Sequence, residues 1–170
     1  GMSNTLFRNP HGLPDPGQFT TARDMARLGI ALREHYPQYY GYFSVKSFKY
    51  GRTRIANHNR LLGKIRGVDG IKTGYTRASG FNLVSSVTDG NRRLVAVVMG
   101  GQSARARDAR MAELIDANMD RTSSRGGALI AKADGEGGSA VSRLAGLILP
   151  KRKAPTPDMK PEMEEPIVEA

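Results

Sequence analysis

Between Phe81 and Met99, two runs of β-branched and apolar residues flank Asp89-Gly90-Asn91. Such a turn between such runs is a strong short-range hairpin signal, because glycine accepts the backbone angles a tight reversal needs. The second run, Leu94-Val95-Ala96-Val97-Val98-Met99, is apolar at every position rather than alternating. A strand of that pattern needs apolar cover on both faces. The rest of the chain is therefore read for what lies above and below this hairpin.

Residues 1–19 read as a loop, since Pro10, Pro14 and Pro16 exclude a helix. Residues 20–36 read as a helix capped by Thr20 or Thr21, with Asp24 in the first turn and Met25, Leu28, Leu32 and Tyr36 on one face. Pro37 ends it. Residues 42–56 are expected to form a hairpin, with Tyr42–Val45 and Ser47–Tyr50 as strand segments, Gly51 in the turn and Arg52–Ala56 returning. A long loop, 57–70, carries Gly63, Gly67 and Gly70, and the sheet signal starts at 71. Residues 103–119 read as a helix capped by Ser103, with Met111, Leu114, Ile115 and Asn118 on one side. Helix, strands, then helix predicts a mixed α/β (α+β) layer fold, an antiparallel sheet flanked by helices. Residues 120–170 are expected to be a linker and a disordered tail, because Gly126-Gly127 and Gly135–Gly138 are followed by a segment of Pro, Lys and Glu.

Several function classes are excluded or weakened. There is no cysteine, and His11, His35 and His58 form no metal-binding pair, so neither a metal nor another cofactor is expected. Gly70-Ile71-Lys72-Thr73 is not a phosphate loop, because Ile71 parts the Gly from the Lys and a strand follows. No apolar run of about 18 residues is present to span a membrane, and no signal peptide is visible. Residues 1–119 hold 18 Lys and Arg against 8 Asp and Glu, so the globular part is the basic part. Such a surface attracts anionic polymers, including the bacterial wall and membrane surfaces. Nucleic acid is not expected as a partner, since no recognition motif or aromatic stacking platform accompanies the charge.

Lys72-Thr73-Gly74 is weak as a bare tripeptide, but its setting gives each residue a use. It follows a glycine-rich loop and opens a strand with the character of a sheet edge. Lys72 offers a fixed positive charge and Thr73 a hydroxyl for a carboxylate. Gly74 lets another backbone lie close to the strand. The Tyr75 amide can face a developing oxyanion.

Three stretches resemble the low-molecular-mass penicillin-binding proteins, the serine-type D-alanyl-D-alanine carboxypeptidases. The first runs from Asn4-Thr5 through Asn9-Pro10-His11-Gly12-Leu13-Pro14-Asp15-Pro16-Gly17-Gln18. The second is Asn57-His58-Asn59-Arg60-Leu61-Leu62 with Val68-Asp69-Gly70-Ile71-Lys72-Thr73-Gly74-Tyr75-Thr76. The third is Gly80-Phe81-Asn82-Leu83-Val84 with Asp89-Gly90 and Arg92–Gly100. The resemblance implies a penicillin-binding-protein or β-lactamase-like transpeptidase fold, of which residues 1–119 are the C-terminal part. It implies Lys72 in catalysis and Thr73, Gly74 and Tyr75 in substrate binding. Arg60 or His58 is implied at the substrate carboxylate and His11 in the cleft. The implied partners are the peptidoglycan pentapeptide and β-lactams, and the implied location is the periplasm or cell envelope.

The family's other two motifs, S-x-x-K and S-x-N, do not occur: no serine of the 170 residues has a lysine three places on or an asparagine two places on. The chain is expected to be inactive by itself as a fragment. Its sheet is expected to have an uncovered face and an unpaired edge, with self-association as the consequence, while the basic surface is what suits the chain to a membrane surface. The alternative is a non-catalytic module that binds peptidoglycan or another anionic polymer.

Overall fold

The computed structural model describes residues 1–125 and 127–130. Most of the expected linker and tail lies outside these. The elements are α1 (Ala22–His35), α2 (Pro37–Tyr40), a 3-10 turn (Gly41–Ser44), β1 (Ser47–Tyr50), β2 (Thr53–Ala56), β3 (Val68–Thr76), β4 (Gly80–Asp89), β5 (Arg92–Gly101) and α3 (Ala104–Met119). Strands β3, β4 and β5 form an antiparallel sheet in that order, and β1 and β2 form a separate two-stranded ribbon. Among the described strands, β3 and β5 are both sheet edges.

The hairpin at Asp89–Arg92 forms as its sequence demands. Asp89 pairs with Arg92, and Gly90 takes φ 58° in the two-residue turn between them. Side chains alternate along β4, so Leu83 and Val87 share one face and Val84 and Ser86 the other. On the first face Leu83, Val87 and Val98 pack with Leu61 and with Met111 and Ile115 of α3. Met111 is fully buried and Leu83 is 1% exposed. Burying each such side chain contributes about 1.5–3 kcal/mol.

The second face is covered by α1, and the close approach is made at a glycine. A Cβ on Gly29 would stand 2.9 Å from Ile71 Cδ1 and 3.2 Å from Val95 Cγ1. Gly29 is buried, whereas Met25, Leu28 and Leu32 are only half-buried and Tyr36 lies beyond the helix, exposed. The expectation of a bare sheet face is thus corrected to a partly covered one: Val84, Val95 and Val97 are half-buried under α1. The unpaired edges remain.

Asp24 does more than complement the helix dipole. It is 2% exposed, and its Oδ2 accepts from the Asn4 amide at 3.0 Å and the Thr5 hydroxyl at 2.7 Å. Thr21 Oγ1 caps α1 by accepting from the Asp24 amide at 3.1 Å. A bridge between Leu6 and Phe19 closes the N-terminal loop over this point.

Two further boundaries differ from the expectations. Tyr42–Val45 is not a strand, because 41–44 is a 3-10 turn continuing from the short helix that Pro37 starts. Helical spacing lets Tyr40 and Phe43 stack edge-on, with centroids 5.4 Å apart, and both reach the sheet. Tyr40 donates to Ser86 at 2.7 Å, and Phe43 lies over Gly70. That burial outweighs the β-propensity of the aromatic run. Gly70 belongs to β3 rather than to the loop, since Val68 and Gly70 already pair with Val87 and Ser86.

Candidate functional site

Lys72, Thr73, Gly74 and Tyr75 lie in succession on β3, an edge strand of the sheet. A groove of about 480 Å³ runs between this strand and the β1–β2 ribbon. Phe43, Phe48, Ile55, His58, Lys72 and Thr73 are among the residues that line it. Its walls are mostly apolar, with Ser47, Asn57, His58, Lys72 and Thr73 as polar members. Lys72 is exposed, and its Nζ donates to the Thr73 carbonyl at 2.6 Å. Thr73 is 8% exposed. A Cβ at Gly74 would meet nothing within 4 Å, so the strand is open to an approaching backbone there. The Tyr75 side chain is exposed and packs on Phe81, with ring centroids 4.4 Å apart.

Four hydrogen bonds involving the side chains of Asn57, Asn59 and Ser85 brace the backbone beside the groove. Asn57 Nδ2 donates to the Val45 carbonyl at 2.9 Å, and Asn57 Oδ1 accepts from the Asn59 amide at 2.8 Å. Asn59, 2% exposed, donates to the Gly70 carbonyl at 3.0 Å. Ser85 Oγ donates to the same carbonyl at 3.0 Å. The ribbon is thereby tied to the start of β3 from both sides of the loop.

A partly buried polar network anchors β3 three residues before Lys72. The Asp69 carboxylate accepts from Arg33 of α1, from Ser86 Oγ at 2.5 Å and from Thr88 Oγ1 at 2.8 Å. The Arg33 guanidinium carbon sits 4.6 Å above the Tyr40 ring. Burial pushes the Tyr40 phenol above its ordinary value, an effect opposed by its bond to Ser86. The sequence alone does not reveal these hydrogen-bond partners, because they are 17 to 46 residues apart and no period relates them.

Of the expected site residues, the structure brings Lys72 and Thr73 together in the groove and sets Gly74 and Tyr75 next on the same strand. Arg60 and His11 are exposed and are not among the groove-lining residues. His11 Nδ1 accepts from the Leu13 amide at 3.2 Å within its own loop. Of the pair Arg60 and His58, the groove takes His58. Among the described residues there is no group of three or more His, Asp or Glu side chains arranged to hold a metal, and no helix is long and apolar enough to cross a membrane.

Comparison with known proteins bears on the same segment. Residues 1–103 match the peptidase S11 family, D-alanyl-D-alanine carboxypeptidase. The chain belongs to this family. It is 48% identical over 108 residues to D-alanyl-D-alanine carboxypeptidase DacC of Escherichia coli, covering 63% of this chain and 27% of that protein. Among solved structures it is similar to penicillin-binding protein 5 from Haemophilus influenzae, with TM-score 0.67 and 40% identity over 71% of this chain and 36% of that one. Penicillin-binding protein D2 from Listeria monocytogenes, solved with ampicillin bound, matches at TM-score 0.63 and 28% identity over 68% of this chain and 49% of that one. The α/β fold of a penicillin-binding-protein transpeptidase domain, inferred from the residues, is the fold these relatives share. The chain thus spans about a quarter of the curated relative and less than half of either structure.

Proposed function

We propose that residues 1–119 are the C-terminal part of the catalytic domain of a serine-type D-Ala-D-Ala carboxypeptidase of peptidoglycan maturation, working in the periplasm or cell envelope. Strand β3 holds the carboxyl end of the wall pentapeptide. The observation that carries the reading is the exposed edge of β3, with Lys72 and Thr73 lining a groove and Gly74 open to a second backbone. The Thr73 hydroxyl and the Lys72 charge receive the terminal carboxylate and polarise the reacting centre. The Tyr75 amide faces the oxyanion. His58 is placed to add to carboxylate binding, and Arg60 and His11 act only on parts of the substrate that reach beyond the groove.

The 170 residues contain no S-x-x-K serine, so the nucleophile comes from outside this stretch. In the complete protein its Oγ attacks the D-Ala–D-Ala carbonyl, releases D-Ala and leaves an acyl ester that water hydrolyses. β-Lactams acylate the same oxygen.

Two measurements on the 170-residue chain test this. Labelled penicillin is expected to leave no covalent adduct. A diacylated Lys-D-Ala-D-Ala peptide is expected to shift the amide resonances of 72–75, and Thr73→Ala is expected to abolish those shifts. Wall binding that ignores Thr73→Ala but weakens with salt would instead support the non-catalytic polymer-binding alternative.

A further inference from the structure

The segment from Tyr36 to Val45 has no Asp, Glu, Lys, Arg or His, yet it holds four tyrosines and a phenylalanine. The fold sorts these rings into two sets. Tyr40 and Phe43 turn inward, Tyr40 bonded to Ser86 at 2.7 Å and Phe43 lying over Gly70 of β3. Tyr36, Tyr39 and Tyr42, spaced by three, stay exposed, Tyr42 at 74%. Single exposed aromatics are ordinary, whereas three on one short uncharged segment form a patch. Gly41, between Tyr39 and Tyr42, is a second and independent oddity. Its φ of −59° and ψ of −24° suit any residue, and a Cβ there would meet nothing within 4 Å. Neither backbone strain nor packing asks for glycine, and glycine is a poor helix former. What it provides is bare backbone between two exposed phenol rings. The inward pair fixes this platform to the sheet, so the outer rings stand on a rigid base. The patch is also continuous with the groove, because Tyr42 lines it together with Phe43 and Val45.

We infer that Tyr36, Tyr39 and Tyr42, with the bare step at Gly41, are a sugar subsite that stacks on pyranose rings of the glycan strand from which the wall peptide hangs. An aromatic face carries negative charge density and attracts the C–H face of a pyranose, while the phenol ends and the Gln38 amide suit its hydroxyls. The lack of charge fits this ligand: a neutral sugar needs no counter-ion, whereas an anionic polymer or lipid headgroup would call for cations in the segment. Reach fits as well. A five-residue peptide seated by its carboxyl end at Thr73 spans at most about 17 Å. Its sugar therefore stays beside the domain, where Tyr42 carries the groove onto the patch. This inference rests on the groove being the peptide site proposed above.

The test titrates three ligands into the 170-residue chain by NMR: a β-1,4-linked N-acetylglucosamine tetramer, the wall pentapeptide, and the same pentapeptide on its N-acetylglucosamine–N-acetylmuramic acid disaccharide. The tetramer is expected to shift the amide resonances of 38–42 and leave those of 72–75 in place. The disaccharide pentapeptide is expected to bind about three- to tenfold tighter than the bare pentapeptide, the gain open to a ring-stacking contact. That gain is expected to vanish in Tyr36→Ser/Tyr39→Ser and, separately, in Gly41→Gln, with the affinity for the bare pentapeptide and the amide spectrum of the core unchanged. Gly41→Gln is expected to keep or raise the thermal midpoint, so its loss of sugar binding is not a loss of fold. Equal affinities for the two peptides, a gain that survives both variants, or a tetramer that shifts nothing in 38–42 overturns the inference while leaving the peptide site standing, provided Thr73→Ala still weakens both peptides. If neither peptide binds, or Thr73→Ala changes nothing, the peptide site itself fails and the inference with it. Retention on phosphatidylcholine vesicles that depends on Tyr36 and Tyr39, without any gain from the sugar, would assign the patch to a lipid interface and also overturn it.

Discussion

Replacing Asp69 with Ala tests the anchor that sets β3. The carboxylate accepts bonds from Arg33, Ser86 and Thr88, and removing it leaves the guanidinium without its counter-charge. Arg33 cannot find a new partner readily, because its side chain is only 17% exposed and its Nη1 already lacks a hydrogen-bond partner. Breaking a fully buried pair in this way costs about 3–5 kcal/mol. The Asp69 side chain retains 27% exposure, so water screens part of the loss and the expected cost is about 2–4 kcal/mol. That is a large share of the roughly 5–15 kcal/mol that holds a domain together. The assay is urea unfolding, with the midpoint moving and the slope held. Arg33→Met combined with Asp69→Ala is expected to recover much of the loss, since the orphaned charge is gone. A cost below about 0.5 kcal/mol for Asp69→Ala, or no coupling between the two sites, would refute the reasoning.

Tyr40→Phe is expected to cost about 1 kcal/mol at neutral pH through the lost bond to Ser86. Because burial raises the folded-state pKa of this phenol above its ordinary 10.0, its stabilising contribution is complete below that value and is lost as pH rises through the folded pKa. The unaltered protein should therefore lose stability above pH 10 more steeply than Tyr40→Phe, and parallel profiles from chemical denaturation would contradict the assignment. Gly29→Leu is expected to destabilise by about 3 kcal/mol through overpacking against Ile71 and Val95, whereas Gly29→Ala is near neutral because the gain in helix propensity, about 1 kcal/mol, offsets the crowding. Equal thermal midpoints for the two variants would show that α1 does not press on the sheet as described.

What the chain determined by itself was whatever depends on near neighbours. The turn at Asp89-Gly90-Asn91 sets the β4–β5 hairpin, a threonine at 20 or 21 starts α1, and the spacing of Met111 and Ile115 turns α3 onto the sheet. The order Lys72-Thr73-Gly74-Tyr75 placed the candidate site on a strand, and the motif's surroundings named the family. Tertiary structure alone decided which polar groups are buried and paired. Asp24 meets Asn4 and Thr5, Asp69 meets Arg33, Ser86 and Thr88, and Tyr40 meets Ser86. It also decided that Tyr42 and Phe43 coil rather than extend, and that His58 rather than Arg60 reaches the groove. The physical reason is range: periodicity reports which face a side chain takes on its own element, but the partner that makes burying a charge or a hydroxyl tolerable comes from a distant part of the chain, and only the packed fold brings the two together.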